Sequence, residues 1–176
     1  MLPKYMCMKD EWKEKLQYHT HFYMDLNWRK QYVGVLEMEY DGIKFYFIDN
    51  EYYFNGYAPY GDMYADIEKF AFFSKAVLSA LPLIDFRPDI IHCHDWQTGL
   101  VPIYLDNFRY GNEFYRGIKT VMTIHNLKFQ GTWDPKRVRD ITGLPQYYFA
   151  PDKLEAYKDA NFLKGGIVFA LSLIHI

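Results

Sequence analysis

Pro88-Asp-Ile-Ile-His-Cys-His-Asp-Trp-Gln-Thr-Gly-Leu100 and Thr120-Val-Met-Thr-Ile-His-Asn126 share one grammar, a short apolar run that stops abruptly in His, Asp or Asn. Two buried parallel strands have this form when their C-terminal ends deliver polar side chains to a common crevice, the usual ligand position in an open α/β sheet. His94, Asp95, Trp96, His125 and Asn126 are therefore the first candidates for chemistry.

The flanking sequence supports that reading. Between the two runs, residues 98–108 read as a helix capped by Thr98, with Pro102 in the first turn, where a missing N–H is tolerated. Upstream, Ile67, Phe70, Ala71, Ser74, Val77, Leu78 and Leu81 fall on one helical stripe, which predicts a helix over 66–81 ended by Pro82. Residues 19–26 and 32–40 alternate as strands do. Asp41-Gly42 then joins the second of these to a partner at 43–49, a hairpin signal because both turn positions favour positive φ. Residues 50–62, rich in Gly, Tyr, Pro and Asn, read as a loop. Further helices are expected at 9–18, 135–141, 151–158 and 161–170, and a strand at 117–123. Strands and helices alternating with crossovers of this length predict an α/β fold: a Rossmann-like parallel sheet with helices on both faces, plus the β-hairpin.

Composition narrows the function classes. The 176 residues carry 20 basic and 22 acidic side chains, with no basic stripe of the kind that binds nucleic acid. No apolar run approaches the ~20 residues of a membrane span, and no basic-then-apolar signal opens the chain, so a soluble cytoplasmic protein without membrane or nucleic-acid partners is expected. Cys7 and Cys93 lie far apart, and Cys93 falls within a strand pattern, which favours free thiols over a disulfide. Aromatic residues make up 20% of the chain and crowd between Tyr40 and Phe73. Most serve packing, and the remainder offer a surface for stacking sugars.

His92 and His94 lie two apart on a strand and so share a face; with Asp95 and His125 they make a set that a metal-dependent hydrolase could use. No second HxxxH and no Cys pair completes it. A G-x-S-x-G elbow and a Walker loop are both missing. What remains is a pair of strand ends suited to a polyhydroxylated ligand, although Asp95 and Asn126 are also residues that cap turns.

Phe47-Ile-Asp-Asn-Glu-Tyr-Tyr-Phe54, Pro88 to Pro102, Thr123-Ile-His-Asn-Leu-Lys-Phe-Gln-Gly131 and Leu163-Lys-Gly-Gly-Ile-Val-Phe-Ala170 resemble, in order, the N-terminal half of the bacterial glycogen synthases and their plant starch synthase relatives. The resemblance implies a GT-B glycosyltransferase, in which two Rossmann-like domains face each other across a cleft. It implies retaining transfer of glucose from ADP-glucose to the non-reducing end of an α-1,4-glucan, with no metal or other cofactor. His125 would then lie beside the donor glucose and Asp95 near the reacting sugars. Asn126, His94 and Trp96 would be substrate contacts, as would Tyr53 and Phe54 from an aromatic loop. Measured against that pattern, residues 1–170 are expected to form a partial N-terminal domain, incomplete at both ends: the first strand with its Lys-x-Gly-Gly-Leu loop is missing, and so is the nucleotide-binding second domain. Residues 171–176 depart from the pattern and are expected to be a foreign tail. On these grounds the chain by itself is expected to be inactive. A non-catalytic glucan-binding remnant is the alternative, with the metal-dependent hydrolase behind it.

Overall fold

The computed structural model describes residues 1–56 and 58–175. After β1 (Leu2–Pro3) and a single helical turn, α1 (Asp10–Lys13), the chain runs through three long strands, β2 (Gln17–Leu26), β3 (Arg29–Tyr40) and β4 (Ile43–Asp49). The expected helix over 9–18 shrinks to α1 because Gln17 and Tyr18 are taken into the strand ladder opposite Glu37 and Leu36. Asp41 and Gly42 have φ of 52° and 72°, the paired positive values that a tight hairpin between β3 and β4 requires. The resulting sheet has the order β1-β4-β3-β2, with β1 parallel to β4 and the other pairs antiparallel.

Part of the expected loop over 50–62 is helical. Asn50 accepts hydrogen bonds from Tyr52 N and Tyr53 N at 3.0 and 3.2 Å and so caps α2 (Glu51–Phe54). Asp62 then caps α3 (Met63–Ala80) through Ala65 N. The expected apolar stripe of α3 is present, but the helix is buried on nearly every side, between the antiparallel sheet and the helices that follow. The buried charged groups on it are paired: Lys69 with Asp66 at 2.7 Å, and Glu68 with both Arg29 of β3 and the Tyr53 hydroxyl at 2.8 Å.

β5 (Ile90–His94) and β6 (Lys119–Ile124) are parallel, in register from Ile90 opposite Lys119 to His94 opposite Thr123, and α4 (Leu100–Arg109) makes the crossover between them. Thr98 does not cap that helix. Its hydroxyl accepts from His94 N at 2.7 Å and donates to His94 O at 2.8 Å, which closes the turn after β5, and Gly99 leads into the helix. After β7 (Thr132–Trp133), α5 (Pro135–Thr142) starts at an Asp134 cap and ends on left-handed Gly143. The expected helix over 151–158 is absent. Tyr157 and Lys158 have φ of 53° and 73°, turning β8 (Glu155–Ala156) back onto β9 (Asp159–Asn161), and the Lys164 ammonium binds the Pro151 and Glu155 carbonyls to hold this segment. The last strand completes a small sheet of order β7-β9-β8.

α6 (Phe162–Phe169), capped by Asn161, packs on α4 where two glycines face each other: a Cβ on Gly166 would come within 3.0 Å of Gly99 Cα. β10 (Ser172–His175) then pairs in parallel with β6 as an exposed edge, giving the sheet order β10-β6-β5. The fold is thus mixed α/β with a parallel sheet flanked by helices, as expected. Beside β5, a groove of about 340 Å³ runs between that strand and β4, floored by Phe73 and Val77 of α3. Among the described residues, no helix is long and apolar enough to cross a membrane.

Candidate active site at the ends of two parallel strands

β5 and β6 end side by side, and the residues that follow are tied together by one carboxylate. Asp95 Oδ1 accepts from His125 N at 2.7 Å and from Asn126 N at 3.1 Å, so it clamps the loop after β6 to the loop after β5. To do this, Asp95 adopts φ 55° and ψ −173°, a region otherwise left to glycine. Such a conformation costs roughly 1–3 kcal/mol and persists only where the surroundings over-determine it, here through the two backbone hydrogen bonds to the Asp95 carboxylate. Asn126 does cap a turn, accepting from Lys128 N at 2.9 Å.

The histidines cluster as their strand positions predict. His92 and His94 share a face with ring centroids 4.3 Å apart, and His94 Nδ1 meets His125 Nε2 at 3.0 Å with the rings stacked. His92 Nε2 is hydrogen-bonded to the Thr123 hydroxyl. Desolvation pushes the His94 pKa down, and the neighbouring His92 and His125 push it further the same way, against a smaller opposing pull from Asp95. These influences hold the His94 ring toward its neutral form, hydrogen-bonded to His125. Among the described residues, no three His, Cys, Asp or Glu side chains are grouped so as to hold a metal ion. The His94 and His125 nitrogens face each other as donor and acceptor instead of converging on a third point. Cys93, between the histidines, points into the core, where burial raises its thiol pKa to about 12. Both cysteines are free, as expected.

Asp95 and Asn126 line a pocket of about 380 Å³ whose other walls include Tyr60, Met63, Gln97 and Phe129. Phe129 and Tyr60 are 51% and 57% exposed, so two accessible aromatic side chains border the pocket beside Asp95 and Asn126. Gln97 Nε2 donates to the Tyr60 hydroxyl at 2.9 Å, and Asp66 accepts from Gly61 N, which fixes the loop that carries Tyr60. Neither Tyr60 nor Phe129 was singled out from sequence, although Tyr60 lies inside the aromatic-rich stretch expected to leave some rings for sugars.

Three expected substrate contacts are largely buried, Trp96 in the wall of this pocket and Tyr53 and Phe54 outside its lining. Trp96 is 4% exposed, with Phe70 edge-on at 5.0 Å; a Cβ on Gly131 would come 2.3 Å from its ring, so this tryptophan is a core residue at the pocket wall rather than a stacking platform. Tyr53 and Phe54 are 8% and 1% exposed, because the Asn50 cap turns them inward. Tyr53 stacks on Phe72 at 4.5 Å and gives its hydroxyl to Glu68, and burial with that carboxylate raises its pKa. Asp95, His94, His125 and Asn126 are brought together, while Tyr53 and Phe54 serve the core.

Residues 1–175 match the family model of the starch synthase catalytic domain, and the chain belongs to that family. It is 70% identical over 170 residues to the glycogen synthase of Lachnoclostridium phytofermentans and 67% identical to that of Lachnospira eligens, in each case covering 97% of this chain and 36% of the relative. The fold is similar, with a TM-score of 0.79 and 25% identity, to the catalytic domain of starch synthase IV from Arabidopsis thaliana bound to ADP and acarbose, covering 98% of this chain and 36% of that one. The chain thus spans about 36% of the length of these curated relatives.

Proposed function

We propose that the protein carrying this chain is a cytoplasmic retaining hexosyltransferase that moves glucose from ADP-glucose to the non-reducing end of an α-1,4-glucan, glycogen or a starch-like primer. In this reading the β5 and β6 ends form the sugar-facing wall of its cleft. The observation that carries the proposal is the Asp95 clamp: a carboxylate in a glycine-like conformation that fixes the His125–Asn126 backbone and, with Asn126, lines a 380 Å³ pocket edged with aromatic rings. Family membership supports the substrate class, and the ADP and acarbose bound to the Arabidopsis protein support an adenine nucleotide donor. Nucleotide and diphosphate contacts are assigned to the part of the parent that the 36% overlap does not span, so the 176 residues alone are expected to transfer nothing.

Glycosyl transfer with retention develops positive charge at the anomeric carbon, and fixed dipoles and a nearby carboxylate are worth most when they need no reorganisation as that charge forms. Asp95 supplies the carboxylate, with Oδ2 free of the two backbone bonds. His125, already engaged with His94, positions sugar hydroxyls rather than serving as a free base. This chemistry assigns no step to a metal ion. The departing phosphate can take the acceptor proton. The test is transfer of labelled glucose from ADP-glucose into glycogen by the parent protein. Asp95→Ala and His125→Ala are each expected to lower kcat by about 100-fold or more, with glycogen affinity retained. Wild-type rates in both variants would sink the assignment.

A further inference from the structure

We infer that the outer face of the β2–β3 hairpin is a second carbohydrate platform, separate from the strand-end pocket, that holds an α-glucan chain through a row of four exposed rings. The inference rests on the proposed acceptor class. Along β2 the inward residues Phe22, Met24 and Leu26 alternate with outward His21, Tyr23 and Asp25. The outward positions pair across the ladder with Gly34, Tyr32 and Lys30. Gly34 is what flattens the surface: a Cβ there would come within 3.0 Å of the Tyr32 hydroxyl and 3.2 Å of its ring, so Tyr32 lies along the sheet in the space a side chain would fill.

His21 stacks on Tyr32 at 5.7 Å with an interplanar angle of 27°, and its Nδ1 is hydrogen-bonded to the Tyr18 hydroxyl. Tyr23 meets Tyr32 edge-on at 5.8 Å, with the Lys30 ammonium 5.6 Å from the Tyr23 centroid. The row Tyr18, His21, Tyr32, Tyr23 is therefore ordered by its own contacts before anything binds, so a ligand has little side-chain entropy to remove. Tyr18 and Tyr23 remain 63% and 60% exposed, which packing within this chain does not explain.

Tyrosine offers an apolar face and a polar edge, which matches the C–H faces and hydroxyl rim of a pyranose. A row, rather than a pocket, suits a polymer over a single sugar. Asp25 and Lys30 at its end add groups that bind hydroxyls without giving the face a net charge. None of these residues lines the pocket at Asp95. A polymer held here would raise the effective concentration of chain ends at the cleft.

The test is native gel retardation of the 176-residue chain in glycogen, with maltoheptaose as competitor. Four proteins are compared: wild type, Tyr23→Ala/Tyr32→Ala, Tyr18→Ala/Tyr23→Ala, and the cleft variant Asn126→Ala. Tyr18→Ala/Tyr23→Ala, which keeps Tyr32 seated over Gly34, guards against misfolding of the first variant. Both tyrosine pairs are expected to weaken retardation about tenfold, while Asn126→Ala leaves most of it. Retardation lost only in Asn126→Ala would overturn the platform and leave the proposed function standing. Absence of glycogen binding by wild type would also overturn it, and if the tyrosine variants dissociate a dimer seen in sedimentation, the face belongs to a second copy. Labelled transfer by the parent judges the proposed function independently of these results.

Discussion

The parallel strands and the antiparallel hairpin present side chains in opposite ways. β5 and β6 are joined along their length and expose chemistry at their C-terminal ends, where Asp95, His94, His125 and Asn126 converge within hydrogen-bond distances of one another. β2 and β3 offer a residue every second position, so Tyr18, His21, Tyr32 and Tyr23 form a line. A point of convergence relies on an over-determined backbone, as the Asp95 dihedrals show, whereas a line tolerates small shifts of each member. The cost of substitution should follow that difference.

Two glycines provide the sharpest comparison. At Gly131, with φ 64°, an added Cβ would lie 2.3 Å from the Trp96 ring, itself wedged against Phe70. Clash and left-handed strain together give Gly131→Ala an expected cost of about 3–5 kcal/mol in urea unfolding. At Gly34 the Cβ meets the movable end of Tyr32 at 3.0 Å and Asp49 Cβ of the neighbouring strand at 3.1 Å, without left-handed strain, and Gly34→Ala is expected to cost about 1–2 kcal/mol. Equal costs would break the contrast between the two regions.

Next in size is the link between hairpin and core. Glu68 of α3 holds Arg29 at 2.8 Å with both side chains largely shielded, and among the described residues the Arg29 Nε and Nη2 have no partner of their own. Glu68→Ala leaves that guanidinium uncompensated, with an expected loss of about 3 kcal/mol. Asp95→Gly should be much milder: it relieves roughly 1–3 kcal/mol of backbone strain while losing two hydrogen bonds worth about 1 kcal/mol each, so stability should change by about 1 kcal/mol or less. Transfer by the parent should nevertheless collapse in that variant. A protein both stable and active after Asp95→Gly would place the chemistry elsewhere.

Elements with a local signal were legible in the sequence. Asp41-Gly42 specified its hairpin, the apolar stripe of α3 located that helix, and the two runs ending in His, Asp or Asn named the strand ends and four of the residues gathered there. What misled was context. Residues 151–158 have no helix-breaking residue beyond Pro151, and only the positive φ of Tyr157 and Lys158, which the sequence pattern does not signal, makes them a hairpin. Gln17 and Tyr18 were lost to the expected helix because only pairing with β3 makes them strand. Tyr53, Phe54 and Trp96 read as ligand-facing because aromatic residues suit cores and sugars alike, and only burial distinguishes the two. Tyr60 and Phe129 have no periodicity to report them; tertiary contacts through Asp66 and Gln97 bring Tyr60 to the pocket.

The smallest expected effect is a pH dependence confined to the strand ends. The His94 pKa is lowered in the folded state, first by desolvation and then by His92 and His125, whereas in the unfolded chain it returns to the ordinary 6.5. Below that value the unfolded state binds more protons than the native one, so stability is full above 6.5, falls as pH drops through it, and levels off once the lowered native value is passed. The urea midpoint should therefore decline as pH falls below about 6.5. His94→Gln removes the group and should flatten that slope. Tyr23→Ala on the hairpin should leave it unchanged. A slope that survives His94→Gln would assign the proton uptake to another site, and the strand ends would then lose the electrostatic coupling that sets them apart from the hairpin.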